Sequence, residues 1–226
     1  MVKNIESIFL NLKDQEINTI VVNGDLKHEF GTISEQEWRN TLKFIDLLSK
    51  HCKELVLVRG NHDKILGPIA SKRNVKVVDY HIVEQHDNPK EIIKETMKKK
   101  TKNNESKNQK SNKNNKNKFL IIHGDKIPAK ELLKGVSTIV IGHEHPAISI
   151  RSGPRVETFK CFLKGKYSGK QLIVQPSFNS VVSGTNVLRD DILSPFLKRK
   201  LDDFEVFVIE DKIYDFGKLK NLRENE

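Results

Sequence analysis

Four places in this chain set polar, chemically capable side chains directly after a short apolar run. VVNGD ends at Asp25, LVRGNHD carries Asn61, His62 and Asp63, FLIIHGD carries His123, and TIVIGHEHP carries His143 and His145. A glycine adjoins each cluster, where the backbone must turn sharply or approach another segment closely. Carboxylate, amide oxygen and imidazole are ligands for borderline divalent ions such as Mn²⁺, Fe²⁺ and Zn²⁺, and no thiolate is offered among them. Taken singly, a histidine at a strand end is more often structural, and a Gly-Asp is more often a turn. Recurrence at four strand ends favours convergence on one metal centre, because ligands of open α/β sheets gather beyond the carboxyl ends of the strands.

The elements that must position these residues follow from periodicity. Residues 3–16 place Ile5, Ile8, Phe9 and Leu12 at helical spacing, and INTIVV at 17–22 reads as a strand. Ser34 with Glu37 has the form of a capping box, opening a helix through Trp38, Leu42, Ile45 and Leu48 to about His51. ELVLV (54–58), VKVVDYHIV (75–83), FLII (119–122) and STIVI (137–141) read as strands, and IPAKELLK reads as a short helix. Beyond about residue 147 come the strand-like AISI, VETFKCFL and QLIVQ, a helix near 189–200 and the strand FEVFVI. The expected fold is α/β, with two packed β-sheets and helices outside them.

Composition bounds the class. The chain has 226 residues, 36% hydrophobic and 31% charged, and one globular domain over 1–226 is expected. Cys52 and Cys161 match no metal-ribbon spacing and read as reduced thiols. The N-terminus has no apolar stretch of signal-peptide length, and no run approaches the ~18 residues of a membrane span, so a cytoplasmic protein without membrane partners is expected. Of the formal charge of +10, residues 98–118 supply +8, from nine lysines and one glutamate. This Lys/Asn/Ser segment has no apolar residue with which to offset chain entropy, and it reads as a disordered insertion. A solvated loop is favoured over a nucleic-acid tether, and the rest of the chain is close to neutral.

The set GD (24–25), GNHD (60–63), His123 and GHEH (142–145) resembles the ordered motifs of calcineurin-like metallophosphoesterases: DxH, GDxx, GNHD/E, H and GHxH. GDLKHEFG at 24–31, GHEHP, QPSFNSVVSGTNV at 175–187 and LSPF at 193–196 resemble the archaeal and bacterial branch related to ligase-associated phosphoesterases. The resemblance implies an α/β/β/α sandwich and hydrolysis of a phosphoester by a metal-activated water. It implies that Asp25 bridges two divalent ions, manganese foremost with iron or zinc as alternatives. Asn61, His123 and His143 would complete the second ion's shell, His145 would bind the first, and His62 would be the catalytic histidine beside the phosphate. Asp63 either accepts from the other nitrogen of His62 or caps the following helix. Arg59, Lys27 and His28 are weaker candidates for substrate contact.

One motif departs from the family. No DxH precedes Asp25, and the only D-x-H, Asp79-Tyr80-His81, falls inside the strand expected at 75–83. The expectation is that Met1 lies downstream of the native start, so that the first strand is missing and one metal position is short of ligands. The alternative is a first site that is incomplete by nature. From the resemblance to that branch, the functional expectation is a phosphodiesterase. A phosphomonoesterase on the same scaffold, or a catalytically impaired phosphate- or nucleic-acid-binding module, are the alternatives. The sequence leaves the oligomeric state open.

Overall fold

A computed structural model describes residues 2–26, 34–63, 66–84 and 117–223. In chain order the elements are α1 (Val2–Asn11), β1 (Thr19–Asn23), α2 (Glu35–Ser49), β2 (Glu54–Val58), α3 (Leu66–Ser71), β3 (Lys76–Val78), β4 (Tyr80–Glu84), β5 (Lys118–Ile122) and β6 (Thr138–Ile141). Then follow β7 (Pro146–Ser152), β8 (Arg155–Tyr167), β9 (Lys170–Val174), β10 (Thr185–Asn186), β11 (Glu205–Ile209), β12 (Ile213–Lys218) and a five-residue helix, α4 (Leu219–Arg223).

They form two sheets. β1, β2 and β3 make a parallel sheet in that order. The second sheet runs β10-β7-β8-β9-β6-β5-β4, with β11 joined to β8 and β12 to β11. Leu55 and Leu57 of β2 pack with Ile45 and Leu48 of α2 and with Leu66 and Ile69 of α3. Val56 and Val58, on the opposite face, are equally buried. A strand covered on both faces needs such a continuous apolar run, and that is why ELVLV shows no alternation. The outer side of the larger sheet is covered by Val187, Phe196, Leu197, Leu201 and Phe204 from the segment before β11, and by Leu219 of α4. This is a mixed α/β fold of two sheets flanked by helices.

α2 starts where the capping residues place it: the Ser34 hydroxyl accepts the Glu37 N–H at 3.1 Å. Four local expectations are corrected. α1 stops at Asn11, and Ile8 is exposed while Ile5 and Phe9 pack inward, because a single helical stripe is narrower than the apolar set. The expected strand 75–83 is two strands in different sheets: β3 pairs with β2, β4 pairs with β5, and Asp79 is the corner between them. IPAKELLK forms successive tight turns, with N–H donation three residues back from Leu132, Leu133 and Lys134, in place of a helix. The segment near 189–200 is also a series of turns; Pro195 interrupts it, and the N–H groups of Leu193 and Ser194 are taken by Glu144.

The expected insertion lies outside the described residues up to residue 116. Its last residue, Lys118, belongs to β5, where it stands opposite Glu84 with its ammonium 2.7 Å from the carboxylate. No described helix is long and apolar enough to cross a membrane.

Candidate metal centre

The parallel strands β1 and β2 of one sheet and β5, β6 and β9 of the other point their carboxyl ends at one place. Backbone geometry there is tight. Gly24 and Asp25 both adopt left-handed φ, at 81° and 50°. A Cβ at Gly24 would lie 2.2 Å from His123 Nδ1, and one at Gly60 would lie 2.1 Å from Asp25 Oδ1. Glycine at these two positions lets the His123 ring lie over the first turn and lets the Asp25 carboxylate lie against the second.

Side chains from four loops therefore meet. Ligand atoms of Asp25, His123 and His143 all lie within 4.8 Å of one another. His123 Nε2 is 3.1 Å from Asp25 Oδ2, 3.0 Å from Asn61 Oδ1 and 3.1 Å from His143 Nδ1. The same ring's Nδ1 is 3.3 Å from the Asn23 carbonyl, which can only accept, so Nδ1 carries the proton and a neutral His123 turns the lone pair of Nε2 inward. That leaves lone pairs of carboxylate, amide oxygen and imidazole nitrogen crowded around a point with no proton of the neutral ring to share. A cation relieves this. Ligand bonds of about 2.1 Å at right angles put neighbouring donors about 3.0 Å apart, which is the spacing of the other three donors from His123 Nε2. The donor set fits a divalent ion.

Supporting contacts hold the donors in place. The Gly142 and His143 N–H groups both donate to the His123 carbonyl at 2.9 Å, joining the two histidine loops. The His62 N–H donates to Asp25 Oδ1 at 3.0 Å. Asn23 Nδ2 donates to Gln175 Oε1 at 3.1 Å, tying the end of β1 to the end of β9. Asp63 is fully buried, and its Oδ2 accepts the Gly60 N–H at 3.0 Å, closing the turn that carries Asn61 and His62.

Electrostatics follow from this geometry. Burial pushes the Asp25 carboxyl upward, but its hydrogen bond with His123, that ring's charge and the His62 N–H outweigh it, and the net result lies below the usual aspartate value. Burial pulls His123 down, yet Asp25 holds it above the usual 6.5. His143 and His145 are lowered, first by burial; the charge of His123 adds to this in both. Below that raised value His123 carries a second proton, on Nε2, which an ion would have to displace; above it the ring is neutral with its lone pair inward. Metal affinity is expected to rise about tenfold per pH unit up to 6.5 and to level off only above it, with about one proton released per ion. Calorimetric Mn²⁺ titrations in buffers of different ionisation heat read both quantities; an affinity flat from pH 5.5 to 6.5 would contradict the proton count.

The structure thus brings together Asp25, Asn61, His123 and His143 of the residues singled out in the sequence. His145 lies outside the 4.8 Å group, though within reach of the charges of Asp25, His123 and His143. Arg59 is ion-paired with Asp79 at 2.7 Å, so Asp79 of the isolated D-x-H is engaged at the corner, and His81 stands in β4 opposite Ile121. Lys27 and His28 lie outside the described residues.

Sequence reasoning missed Asn23, Gln175, Glu144 and Ser194. Glu144 is fully buried and accepts the Ser194 N–H at 2.7 Å and the Leu193 N–H at 3.1 Å; the Ser194 hydroxyl donates to the Gly124 carbonyl at 2.8 Å. Gln175 carried a signal that went unused, since it too follows an apolar strand.

Two sheets flanked by helices, with Asp, Asn and His donors converging at the carboxyl ends of parallel strands, define the metallophosphoesterase class. The chain matches the calcineurin-like phosphoesterase family over residues 2–184 and belongs to that family. No curated protein matches it. Among solved structures, nuclease MPE of Pseudomonas putida is similar with a TM-score of 0.52 at 15% identity, over 93% of this chain and 76% of that one, a likeness of fold. A point mutant of Vps29 from Entamoeba histolytica aligns with a TM-score of 0.36 at 15% identity, covering 94% of this chain and 82% of that one. Vacuolar protein sorting 29 of Cryptosporidium parvum aligns with a TM-score of 0.36 at 14% identity, covering 88% and 97%.

Proposed function

We propose that this chain hydrolyses phosphodiesters at a divalent-metal centre in which Asp25, Asn61, His123 and His143 hold one ion, with Asp25 and His145 serving a second position. The observation that carries the reading is the set of inward-facing lone pairs around His123 Nε2, each about 3 Å from that atom. Bound there, a divalent ion supplies positive charge against the phosphoryl oxygens and acidifies a water for attack. Asp25 is held ionised by His123 and the His62 N–H, so it meets the ion without first losing a proton. The His62 side chain, carried by the turn that Asp63 closes, is assigned to protonate the leaving oxygen or to hydrogen-bond a phosphoryl oxygen.

The diester preference rests on the likeness of GDLKHEFG, GHEHP and QPSFNSVVSGTNV to the branch related to ligase-associated phosphoesterases. Among the described residues the other position, the first ion's, has Asp25 and His145 as candidate ligands, so its occupancy should be weak and turnover slow. Turnover of bis(p-nitrophenyl) phosphate against p-nitrophenyl phosphate, with Mn²⁺ and with chelator, tests this. Faster, chelator-sensitive turnover of the diester is expected. Preference for the monoester would make the chain a phosphomonoesterase, and no metal-dependent turnover of either would overturn the enzymatic reading.

A further inference from the structure

Beside the metal donors a groove of about 570 Å³ opens between the corner at Asp79 and the turns after β5. Asn61 and His123 line its inner end, Tyr80, Pro128 and Leu132 form apolar walls, and Arg59 stands at its rim. That volume lies within the roughly 300–1,000 Å³ of small-molecule sites. A phosphate group has five heavy atoms, and at roughly 30 Å³ for each water-sized group it takes about 150 Å³. Most of the groove is therefore left for whatever the phosphorus carries.

We infer that this groove receives the non-reacting arm of the substrate, and that the arm is a planar aromatic group of the nucleoside kind, stacked on Tyr80. The inference rests on the phosphoesterase reading and adds the class of substrate to it. Three features favour a planar arm. Tyr80 opens β4 with its side chain 45% exposed, although its strand neighbours pair fully with β5. Such a half-open ring is a stacking platform, and base-on-aromatic contact is tolerant of base identity. Pro128 and Leu132 offer rigid apolar surface without buried polar groups that an arm would have to satisfy. Arg59 is fixed at the rim by Asp79 at 2.7 Å, which leaves a guanidinium with further N–H donors beside the path of an anionic ester. Continuity decides the placement, because Asn61 and His123 belong both to the groove and to the metal centre.

The test is binding to the Mn²⁺-loaded full chain, which needs no turnover. Adenosine 5′-monophosphate, butyl phosphate and methyl phosphate are titrated by calorimetry. Adenosine monophosphate should bind about tenfold more tightly than either alkyl phosphate. Tyr80→Leu, which keeps an apolar strand residue, should abolish that advantage while leaving methyl phosphate within twofold, and Tyr80→Phe should retain it. If butyl phosphate binds as well as the nucleotide, or if Tyr80→Leu leaves the preference intact, the groove does not select a planar arm and the inference falls while the phosphate site stands. If none of the three ligands binds the loaded protein, the phosphoesterase reading falls with it.

Discussion

Asp25→Asn and His143→Ala should each purify with little or no bound metal and bind Mn²⁺ at least a hundredfold more weakly than the parent chain, whereas His62→Ala should bind it within a few fold. The expectation follows from which atoms face the centre. Asp25 and His143 contribute donor atoms to the 4.8 Å group, and removing a contact that merely supports a ligand already costs about 10–100-fold in affinity. Asp25→Asn also discards the negative charge that offsets the ion, while keeping shape. His62 contributes its backbone N–H to Asp25, and an alanine keeps that bond. His62→Ala should therefore separate turnover from binding, lowering turnover by about 10²–10⁴ if it works as a general acid. Metal analysis and titration of the three variants read the result. Equal metal loss in all three would mean that His62 is a ligand and that the proposed division of roles is wrong.

The centre was legible from sequence because its donors sit at strand ends, and strand ends are where local pattern is most informative. LVLV followed by Arg-Gly-Asn-His-Asp announces both a buried strand and an abrupt polar stop, and β1, β5 and β6 repeat that signature. The glycines were legible as turn signals, but their second purpose was not. Gly60 makes room for a carboxylate 35 residues earlier in the chain, and no local rule reveals a clash between the loops of two neighbouring strands.

What failed in the reading was set by tertiary contacts. Residues 75–83 alternate like one strand, yet Asp79 turns the chain from the edge of the small sheet to the edge of the large one, without a glycine or proline to mark the corner. Ile8 fits a helical stripe by spacing but lies outside the narrower face that α1 buries. The segment near 189–200 contains enough apolar residues for a helix face. Its N–H groups at 193 and 194 instead serve a carboxylate about fifty residues away, and Phe196 and Leu197 cover the large sheet. Propensity gave way there to an acceptor that only the fold supplies.

That acceptor leads to the second large effect: Glu144→Ala should destabilise the protein by about 3–5 kcal/mol and weaken Mn²⁺ binding about tenfold or more. Glu144 lies between His143 and His145 and is fully buried. It takes the N–H groups of Leu193 and Ser194, and Ser194 in turn holds the carbonyl of Gly124, the residue after His123. Truncation leaves the buried Ser194 N–H without an acceptor, at about 1–3 kcal/mol, besides the bond to the part-buried Leu193 N–H and the lost packing. For a chain of this length the melting temperature should fall by roughly 10 °C. Glu144→Gln should behave differently. Burial raises the Glu144 carboxyl above 4.5 despite its hydrogen bonds, so its charge is a burden on the fold. A group raised on folding gives stability that is complete below its unfolded value and is lost as pH climbs through its folded value. The parent chain therefore loses this contribution as pH rises above 4.5, and the glutamine variant does not. Its amide oxygen can still accept from Ser194, so the variant should cost no more than about 1.5 kcal/mol, with the gap to the parent narrowing from pH 4.5 upward. Melting curves of the three proteins across that range, with Mn²⁺ titrations at neutral pH, decide it. If alanine melts with the parent, or if glutamine is as damaging as alanine, then Glu144 does not hold the histidine loops through Leu193 and Ser194.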